Sequence, residues 1–568
     1  MYMYMYMHST CAHARVVIRG SASLVGAGAA HFTAPHRFHS AASVLSGTMP
    51  SRCCCMQQSD TSDVIEMLPS DGALHSSAST PADNPARLFM DAEPIFEAVA
   101  SGDVLLLSGR WLLQHAGFKF IDGRPQLPNG HNGYAKLKAQ ALPPRQQLEK
   151  TVPGAAISAD ALRSNYKRFR KAVSTARNTF DNRSAVDDHV DGVPVIAVSH
   201  CWEEADCADP HGRTITSVAI KLRAQWRDFA AWGIDDVGVF FDWCSLYQNK
   251  PERRTLAQDD CFQRALGRMS MWYANHLTCV YIVQGQVGLA VPREMRGWPF
   301  YEESLARLFK AAPRHTKYQI HAVGNTSIWV SLTAAERSAM AKKAAKVWEK
   351  VVYVSTDHNE APIPYVRGAP TAPSHFASGV RAKTFTNGAD AALVISLYEE
   401  CVRSGFDSIP SMQYPWAMWA DAELAAFGDL LAEVPARSAT LLKMTQCQMT
   451  HLDPLDAAIH AGALPNLRSM VLSGCQRLKR LPSSLASLTH LEEITLSQCR
   501  ALEELPELPP TLRTINLDHA DRLLHTNRSE LVKLARRGVE VRGMGPEWAA
   551  EWKAQHATSL NAQSADII

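Results

Sequence analysis

The most regular part of the chain is residues 464–507, which read LPNLRSMVLSGCQRLKRLPSSLASLTHLEEITLSQCRALEELPE. One apolar pattern occurs twice here: Leu467, Met470, Leu472, Cys475, Leu478, Leu481 and Pro482 recur as Leu491, Ile494, Leu496, Cys499, Leu502, Leu505 and Pro506. A further copy follows at Leu512, Ile515, Leu517, Ala520 and Leu523, and an incomplete one precedes them at Leu442, Met444 and Cys447. Because a proline recurs in register, an isolated helix does not explain the pattern.

This Leu-x-x-Leu-x-Leu-x-x-Cys spacing is that of a leucine-rich repeat, in which a short strand and a turn stack on those of the next repeat. Each cysteine then lies where a small buried donor can meet the backbone of the turn. We predict a short leucine-rich-repeat solenoid over residues 439–545 that binds a protein partner. A linker helix over 409–438 and a C-terminal cap and tail over 546–568 are the candidates to cover its ends.

The repeats resemble those of plant intracellular immune receptors, with the same Ser-Gly-Cys and Leu-Pro steps. The resemblance covers about a sixth of the chain and identifies a subclass of repeat without implying one function. The sequence contains no G-x-x-x-x-G-K-[ST] phosphate loop, so the nucleotide-binding switch of those receptors is missing.

Composition excludes several classes of function. The formal net charge of +2 gives no global reason to bind nucleic acid, and no apolar run reaches the length of about 18 residues that suggests a membrane span. The 13 cysteines are scattered along the chain, which indicates free thiols in a reducing compartment. We therefore expect a cytoplasmic protein without a membrane span and without a nucleic-acid partner.

The N-terminal residues 1–84 are predicted to be a disordered leader, because they are rich in Ser, Thr and Ala and show no periodicity. Residues 1–58 contain no Asp or Glu, a composition typical of transit peptides, so mitochondrial targeting is the alternative to a cytoplasmic location. The opening MYMYMYM instead resembles translated simple-repeat DNA.

Apolar runs alternate with helical patterns between residues 186 and 408, after a helical lead-in over 85–185. The runs are VPVIAVS (193–199), VGVFF (237–241) and TCVYIV (278–283), and helical spacing follows each of them. This order predicts an α/β fold with a doubly wound parallel sheet. Further helices are predicted over 334–353 and 389–405.

Ligands of such sheets bind where the C-terminal ends of the strands open into loops. The candidate ligand-binding residues at these positions are Ser199, Trp202, Asp242, Trp243 and Trp298. Tryptophan rings there can stack on a ligand, although large rings also seal the ends of small sheets. Asp242 either binds a ligand or caps the following turn.

Three segments resemble the fungal heterokaryon-incompatibility domain and the related TIR domain. They are VIAVSHCWEE (195–204), VGVFFDWCSLYQ (237–248) and MSMWYANHLTCVYIV (269–283), and they occur in the order of that family. The resemblance implies a TIR/flavodoxin-like sheet that can self-associate.

TIR domains include enzymes that cleave the nicotinamide–ribose bond of NAD with a glutamate placed four residues after a tryptophan. Trp298 and Glu302 have that spacing here. The resemblance implies NAD as substrate and no required cofactor, because a carboxylate can stabilise the oxocarbenium charge that develops as the bond breaks. Pro299 replaces the frequent cysteine of the family, and the adjacent Glu303 is a competing candidate.

Two simpler interpretations stay open. Glu302 and Glu303 can merely favour the first turn of a helix, where carboxylates suit the macrodipole. The protein is then a non-enzymatic interaction scaffold. His200, Cys201, Cys207 and His211 lie close in sequence, but their spacing is not that of a zinc finger, so we predict no metal site. Cys201 is more simply a buried thiol than a nucleophile paired with His200.

Overall fold

The computed structural model describes residues 87–127, 137, 139–179, 192–204, 206–284, 289–310, 351–355, 368–415 and 417–543. These residues form a mixed α/β structure with two sheets built mainly from parallel strands. None of the described helices combines the length and the apolar character needed to cross a membrane. The predicted leader (1–84) and the predicted C-terminal cap and tail (546–568) lie outside the described residues.

The predicted helical lead-in contains short strands as well as helices. Its elements are α1 (Arg87–Met90), α2 (Glu93–Ala100), β1 (Leu107–Ser108), α3 (Gly109–His115), β2 (Lys119–Ile121), β3 (Arg124–Gln126), α4 (Arg145–Thr151) and α5 (Ala159–Thr179). Strands β2 and β3 form an antiparallel hairpin. Strand β1 instead joins the edge of the central sheet, where Leu107 pairs with Val239.

The central sheet has the order β1-β5-β4-β6-β7, and only β1 runs antiparallel to its neighbour. Its elements are β4 (Val195–Ser199), α6 (Arg213–Ala231), β5 (Gly238–Phe240), α7 (Asp242–Ser245), α8 (Leu256–Gly267), α9 (Met269–Ala274), β6 (Cys279–Gln284), α10 (Gly297–Ala306), β7 (Val351–Ser355), α11 (Pro373–Arg381) and α12 (Asp390–Ser408). The three strands predicted from apolar runs are confirmed as β4, β5 and β6.

The fourth parallel strand, β7, corrects one prediction. A helix was expected over residues 334–353, yet Val351–Ser355 is a strand that pairs with β6. The sequence VVYVS is rich in β-branched residues, which favour the pleated surface of a sheet. The remainder of the predicted helix lies outside the described residues.

Both faces of the central sheet are buried. Val195 and Ala197 of β4 belong to one core, which also contains residues of α9, α10 and α12. Ile196 and Val198 belong to a second core, which contains residues of α3 and α6. Burial on both faces explains why these strands read as nearly continuous apolar runs.

The second sheet has six parallel strands in the order β13-β12-β11-β10-β9-β8. Its elements are β8 (Ser411–Pro415), α13 (Asp421–Glu433), β9 (Leu441–Thr445), α14 (Asp453–His460), β10 (Ser469–Val471), β11 (Glu493–Thr495), β12 (Thr514–Asn516), α15 (Asp521–Thr526), α16 (Arg528–Arg536) and β13 (Glu540–Arg542). The recurring positions Met470, Ile494 and Ile515 align across the sheet. The segment 409–438, expected as a linker helix, contains α13 and also the first strand of this sheet.

The turns after successive strands share one backbone conformation. Gln446, Gly474, Gln498 and His519 all have positive φ angles, of 58°, 75°, 64° and 58°. The residue after each is buried, and in the first three turns it is a cysteine. The Sγ of Cys475 donates to the Met444 carbonyl at 3.6 Å, and that of Cys499 to the Leu472 carbonyl at 3.1 Å. The cysteines therefore meet backbone acceptors, as the sequence predicts.

Helix α12 and strand β8 join the two sheets. Phe406 of α12 packs against Phe309, which lies just beyond α10, and the two ring centroids are 5.3 Å apart. The Tyr414 hydroxyl of β8 donates to the Leu308 carbonyl at 3.4 Å. One face of the central sheet and the interior of the second sheet consequently belong to the same continuous core.

Candidate functional site

Buried polar residues gather at the C-terminal ends of the central strands. Ser199 is the last residue of β4, and Asp242 begins the helix after β5. Helix α10, which follows β6 in the chain, carries Glu302. Because β4 lies between β5 and β6 and runs parallel to both, the segments that follow these strands meet at the C-terminal end of the sheet.

Glu302 is buried at the C-terminal end of the sheet, with 7% of its surface exposed. Burial raises the pKa of its carboxyl to about 8, and the charge of Asp242 adds to this rise. Hydrogen bonds with Ser199 and Tyr273 and the charge of Arg293 act in the opposite direction. Its Oε2 atom has no hydrogen-bond partner among the described residues. At neutral pH the side chain therefore holds a proton and presents one unused oxygen to the site.

Glu303 has different surroundings. Its carboxylate lies 2.7 Å from Arg307 and 4.0 Å from Arg293, and 23% of the side chain is exposed. Helix α10 begins at Gly297, so both glutamates lie beyond the first turn. The helix dipole acts mainly on the first turn, so that simpler explanation for the two carboxylates was wrong.

The Asp242 carboxylate accepts one hydrogen bond from the adjacent backbone and one from a side chain. Its Oδ1 accepts from the Trp243 backbone N–H at 2.7 Å, and its Oδ2 accepts from Trp202 Nε1 at 2.8 Å. Burial raises its pKa to about 6, and the two hydrogen bonds oppose the shift. Asp242 thus contacts the backbone of the turn that follows β5, and ligand binding by this residue stays a prediction.

His200 adds a second unused polar atom. Its Nε2 lies 3.6 Å from Asp242 Oδ1, too far for a hydrogen bond, and has no partner among the described residues. Burial lowers the pKa of the ring to about 3, and the charges of Arg293 and Arg296 lower it further. The imidazole is consequently neutral at physiological pH.

The three candidate tryptophans differ in their exposure and in their hydrogen-bond partners. Trp202 is partly exposed and packs edge-on against Trp243, with centroids 5.2 Å apart. Trp243 is buried, and its Nε1 donates to the Leu142 carbonyl at 2.9 Å. Trp298 donates from Nε1 to Asp390 of α12 at 2.9 Å. Trp202 and Trp298 are thus both partly exposed, Trp243 is buried, and each of the three indole N–H groups donates to a protein acceptor.

Three site residues were not identified from the sequence. The Tyr273 hydroxyl lies 3.3 Å from the Val198 carbonyl and close to Glu302. Arg293 Nη2 donates to Ser199 Oγ at 2.6 Å, and Arg296 Nη1 donates to the Trp202 carbonyl at 2.8 Å. The sequence feature that could have indicated the two arginines is their spacing of three positions in the loop that follows the buried strand β6.

The cysteine and histidine group does not assemble into a metal site within the described part of the chain, where no three His, Cys, Asp or Glu residues are placed to hold an ion. Cys201 is buried, and burial raises the pKa of its thiol. A protonated thiol is a weak nucleophile. The local environment accordingly favours the buried-thiol interpretation of Cys201.

Comparison with known proteins adds no identification. No protein-family model matches the chain, and no curated protein matches it.

Proposed function

We propose that the α/β part of the chain hydrolyses the bond between nicotinamide and ribose in NAD through Glu302, and that the six-stranded sheet binds a protein partner. The observation that carries this proposal is the buried Glu302 carboxyl with its unused Oε2 at the end of β4 and β6. A buried oxygen atom without a hydrogen-bond partner is costly, so such atoms are concentrated at functional sites.

The strand order supports this location. From β4 the chain continues to β5 on one side, and then crosses to β6 on the other side of β4. In doubly wound sheets, including those with the flavodoxin-like order, ligands bind in the crevice where the order reverses. That crevice lies between β4 and β6, where Ser199 and Glu302 meet. This order and the flanking helices also support a TIR/flavodoxin-like fold.

The chemistry accounts for the need for a carboxylate. As the C1′–N bond breaks, its electron pair leaves with nicotinamide, which changes from a pyridinium cation to a neutral amide and needs no proton. The ribose C1′ becomes oxocarbenium-like, and an adjacent anion stabilises it until water attacks and releases a proton. The cationic pyridinium favours the ionised form of Glu302, so substrate binding itself lowers the pKa of this carboxyl.

Features of the second sheet support a leucine-rich-repeat solenoid. Its strands follow one another in chain order and its turns repeat one conformation. Cys475 and Cys499 each donate to a carbonyl of the preceding repeat. Partly exposed side chains such as Ser469, Val471, Glu493 and Thr495 alternate with buried ones along the strands. These mainly polar side chains form a surface suited to a protein partner.

A non-enzymatic scaffold is the second candidate. Glu302 and His200 expose only 7% and 4% of their surfaces, so a ligand must displace covering groups to reach them. In this alternative the α/β part self-associates and the repeats hold the partner.

Nicotinamide release from NAD distinguishes the two functions. The full chain is assayed at high protein concentration, because TIR-like domains are expected to act when clustered. Glu302→Gln keeps the shape of the side chain, and Glu303→Gln is the matched control in the next position. Loss of turnover confined to Glu302→Gln supports the hydrolase. Absence of turnover in the folded, concentrated wild type supports the scaffold.

A further inference from the structure

Arg293 and Arg296 donate hydrogen bonds to Ser199 and Trp202, the residues that flank His200 and Cys201 at the end of β4. Arg293 donates to Ser199 Oγ at 2.6 Å and to the Ser199 carbonyl at 3.4 Å. Arg296 donates to the carbonyls of Trp202 at 2.8 Å and Val291 at 2.9 Å. The two guanidinium groups therefore reach the same strand end from one short segment that precedes α10.

Close carboxylate partners are scarce for this pair. The carboxylate paired with Arg293 is Glu303 at 4.0 Å, and Arg307 holds that carboxylate more closely at 2.7 Å. Among the residues that the structure describes, no carboxylate forms an ion pair with Arg296. Asp242 is held by two tryptophans. The site thus has more positive than negative charge.

Burial makes this excess charge significant. Only 14% of the Arg293 side chain is exposed, and Arg296 is partly buried. A guanidinium removed from water without a counter-ion is unfavourable, whereas a phosphate can engage it through two parallel hydrogen bonds. Backbone carbonyls use only some of the five donors of each arginine. The remaining capacity suits an anionic ligand with several oxygens.

The segment that carries the arginines is held on its other side. The Thr384 N–H donates to the Met295 carbonyl at 2.7 Å, and the Gly297 N–H donates to the Thr384 carbonyl at 3.1 Å. Gly297 has no room for a side chain, because a Cβ there would lie 1.9 Å from the Phe385 ring. The two arginines are consequently fixed over the strand end before any ligand arrives.

We propose that Arg293 and Arg296 bind the pyrophosphate of a dinucleotide. The inference rests on the proposed function and adds to it the two residues that hold the diphosphate of the substrate. Ser199 contacts both Arg293 and Glu302, so the Arg293 guanidinium lies within reach of the 5′ phosphate of a ribose whose C1′ is at Glu302.

Isothermal titration calorimetry of the full chain with ADP-ribose and with adenosine tests the assignment without turnover. We expect wild type to bind ADP-ribose at least tenfold more tightly than adenosine, and Arg293→Ala and Arg296→Ala each to weaken ADP-ribose binding about tenfold or more. Arg296→Lys, which keeps the charge but not the planar fork, gives an intermediate loss. Arg381→Ala, at an exposed arginine of α11, leaves both affinities unchanged.

Two results would overturn the assignment. One is equal affinity of wild type for ADP-ribose and adenosine, including no binding of either. The other is undiminished ADP-ribose binding by both alanine variants with normal melting temperatures. The two proposals can fail separately. If the wild type releases no nicotinamide but the alanine variants bind ADP-ribose more weakly, the anion site is supported and the hydrolase is not. If the wild type releases nicotinamide and neither substitution weakens ADP-ribose binding, the hydrolase is supported and the anion site is not.

Discussion

Replacing Glu302 by glutamine is expected to stabilise the fold increasingly as the pH rises. The carboxyl has a pKa of about 8 in the folded chain, against an ordinary value of 4.5. Between these values the folded state holds a proton that the unfolded state has released, so wild-type stability falls with rising pH. The amide of Glu302→Gln carries no ionisable proton and escapes this loss.

The magnitude follows from the linkage between protonation and folding. Each pH unit in this window changes the free energy of unfolding by about 1.4 kcal/mol. Between about pH 5.5 and pH 7.5, the difference in unfolding free energy between Glu302→Gln and wild type should therefore grow by about 2–3 kcal/mol. Comparing the two pH values removes any constant effect of the amide on local hydrogen bonds.

Urea unfolding followed by tryptophan fluorescence measures this difference at both pH values. Ser304→Ala is the control: it removes a buried hydroxyl of the same helix, which donates to the Phe300 carbonyl at 2.8 Å, and introduces no titrating group. Its effect should be the same at both pH values. A Glu302→Gln difference that stays constant within about 0.5 kcal/mol would refute the assignment of a buried, protonated Glu302.

Three further outcomes are expected. Gly405→Ala places a Cβ 2.1 Å from the Phe309 ring, so overpacking should cost about 1–3 kcal/mol and lower the melting temperature in calorimetry, whereas Gly388→Ala, where the added Cβ meets nothing within 4 Å, should not. Cys499→Ala leaves the buried Leu472 carbonyl without its thiol donor and should cost about 1–2 kcal/mol in urea unfolding; an unchanged midpoint would contradict a structural role for the thiol. If ionised Glu302 is the active form, kcat/KM for NAD should rise with pH toward a plateau above about pH 8, and a flat profile from pH 6 to pH 9 would exclude it.

The strands were predictable where local sequence alone decides them. The runs that became β4, β5 and β6 are apolar because both faces of the sheet are covered, and that requirement is visible in the residues themselves. Strand β7 was missed because it directly follows a stretch with helical spacing, which extended the expected helix into VVYVS. Periodicity does not place such a boundary.

The candidate site was only partly predictable. Ser199 and Asp242 are candidates because strand ends in a parallel sheet mark ligand sites. Glu302 is a candidate only through the resemblance to TIR domains, in which a glutamate follows a tryptophan by four residues. Tyr273 and Arg293 were missed because their meeting with Glu302 depends on strand order and helix rotation, which one sequence does not give. The hydrogen bond from Trp298 to Asp390 could not be predicted for the same reason, since Asp390 belongs to α12, which lies far from Trp298 in the chain.

The most direct test of the central proposal is a crystal structure of the Glu302→Gln variant with NAD. The proposal predicts the nicotinamide ring in the crevice between β4 and β6, with the ribose C1′ about 3–4 Å from the side chain of residue 302. NAD bound elsewhere, or bound in the crevice with C1′ beyond reach of that side chain, would contradict a catalytic role for Glu302.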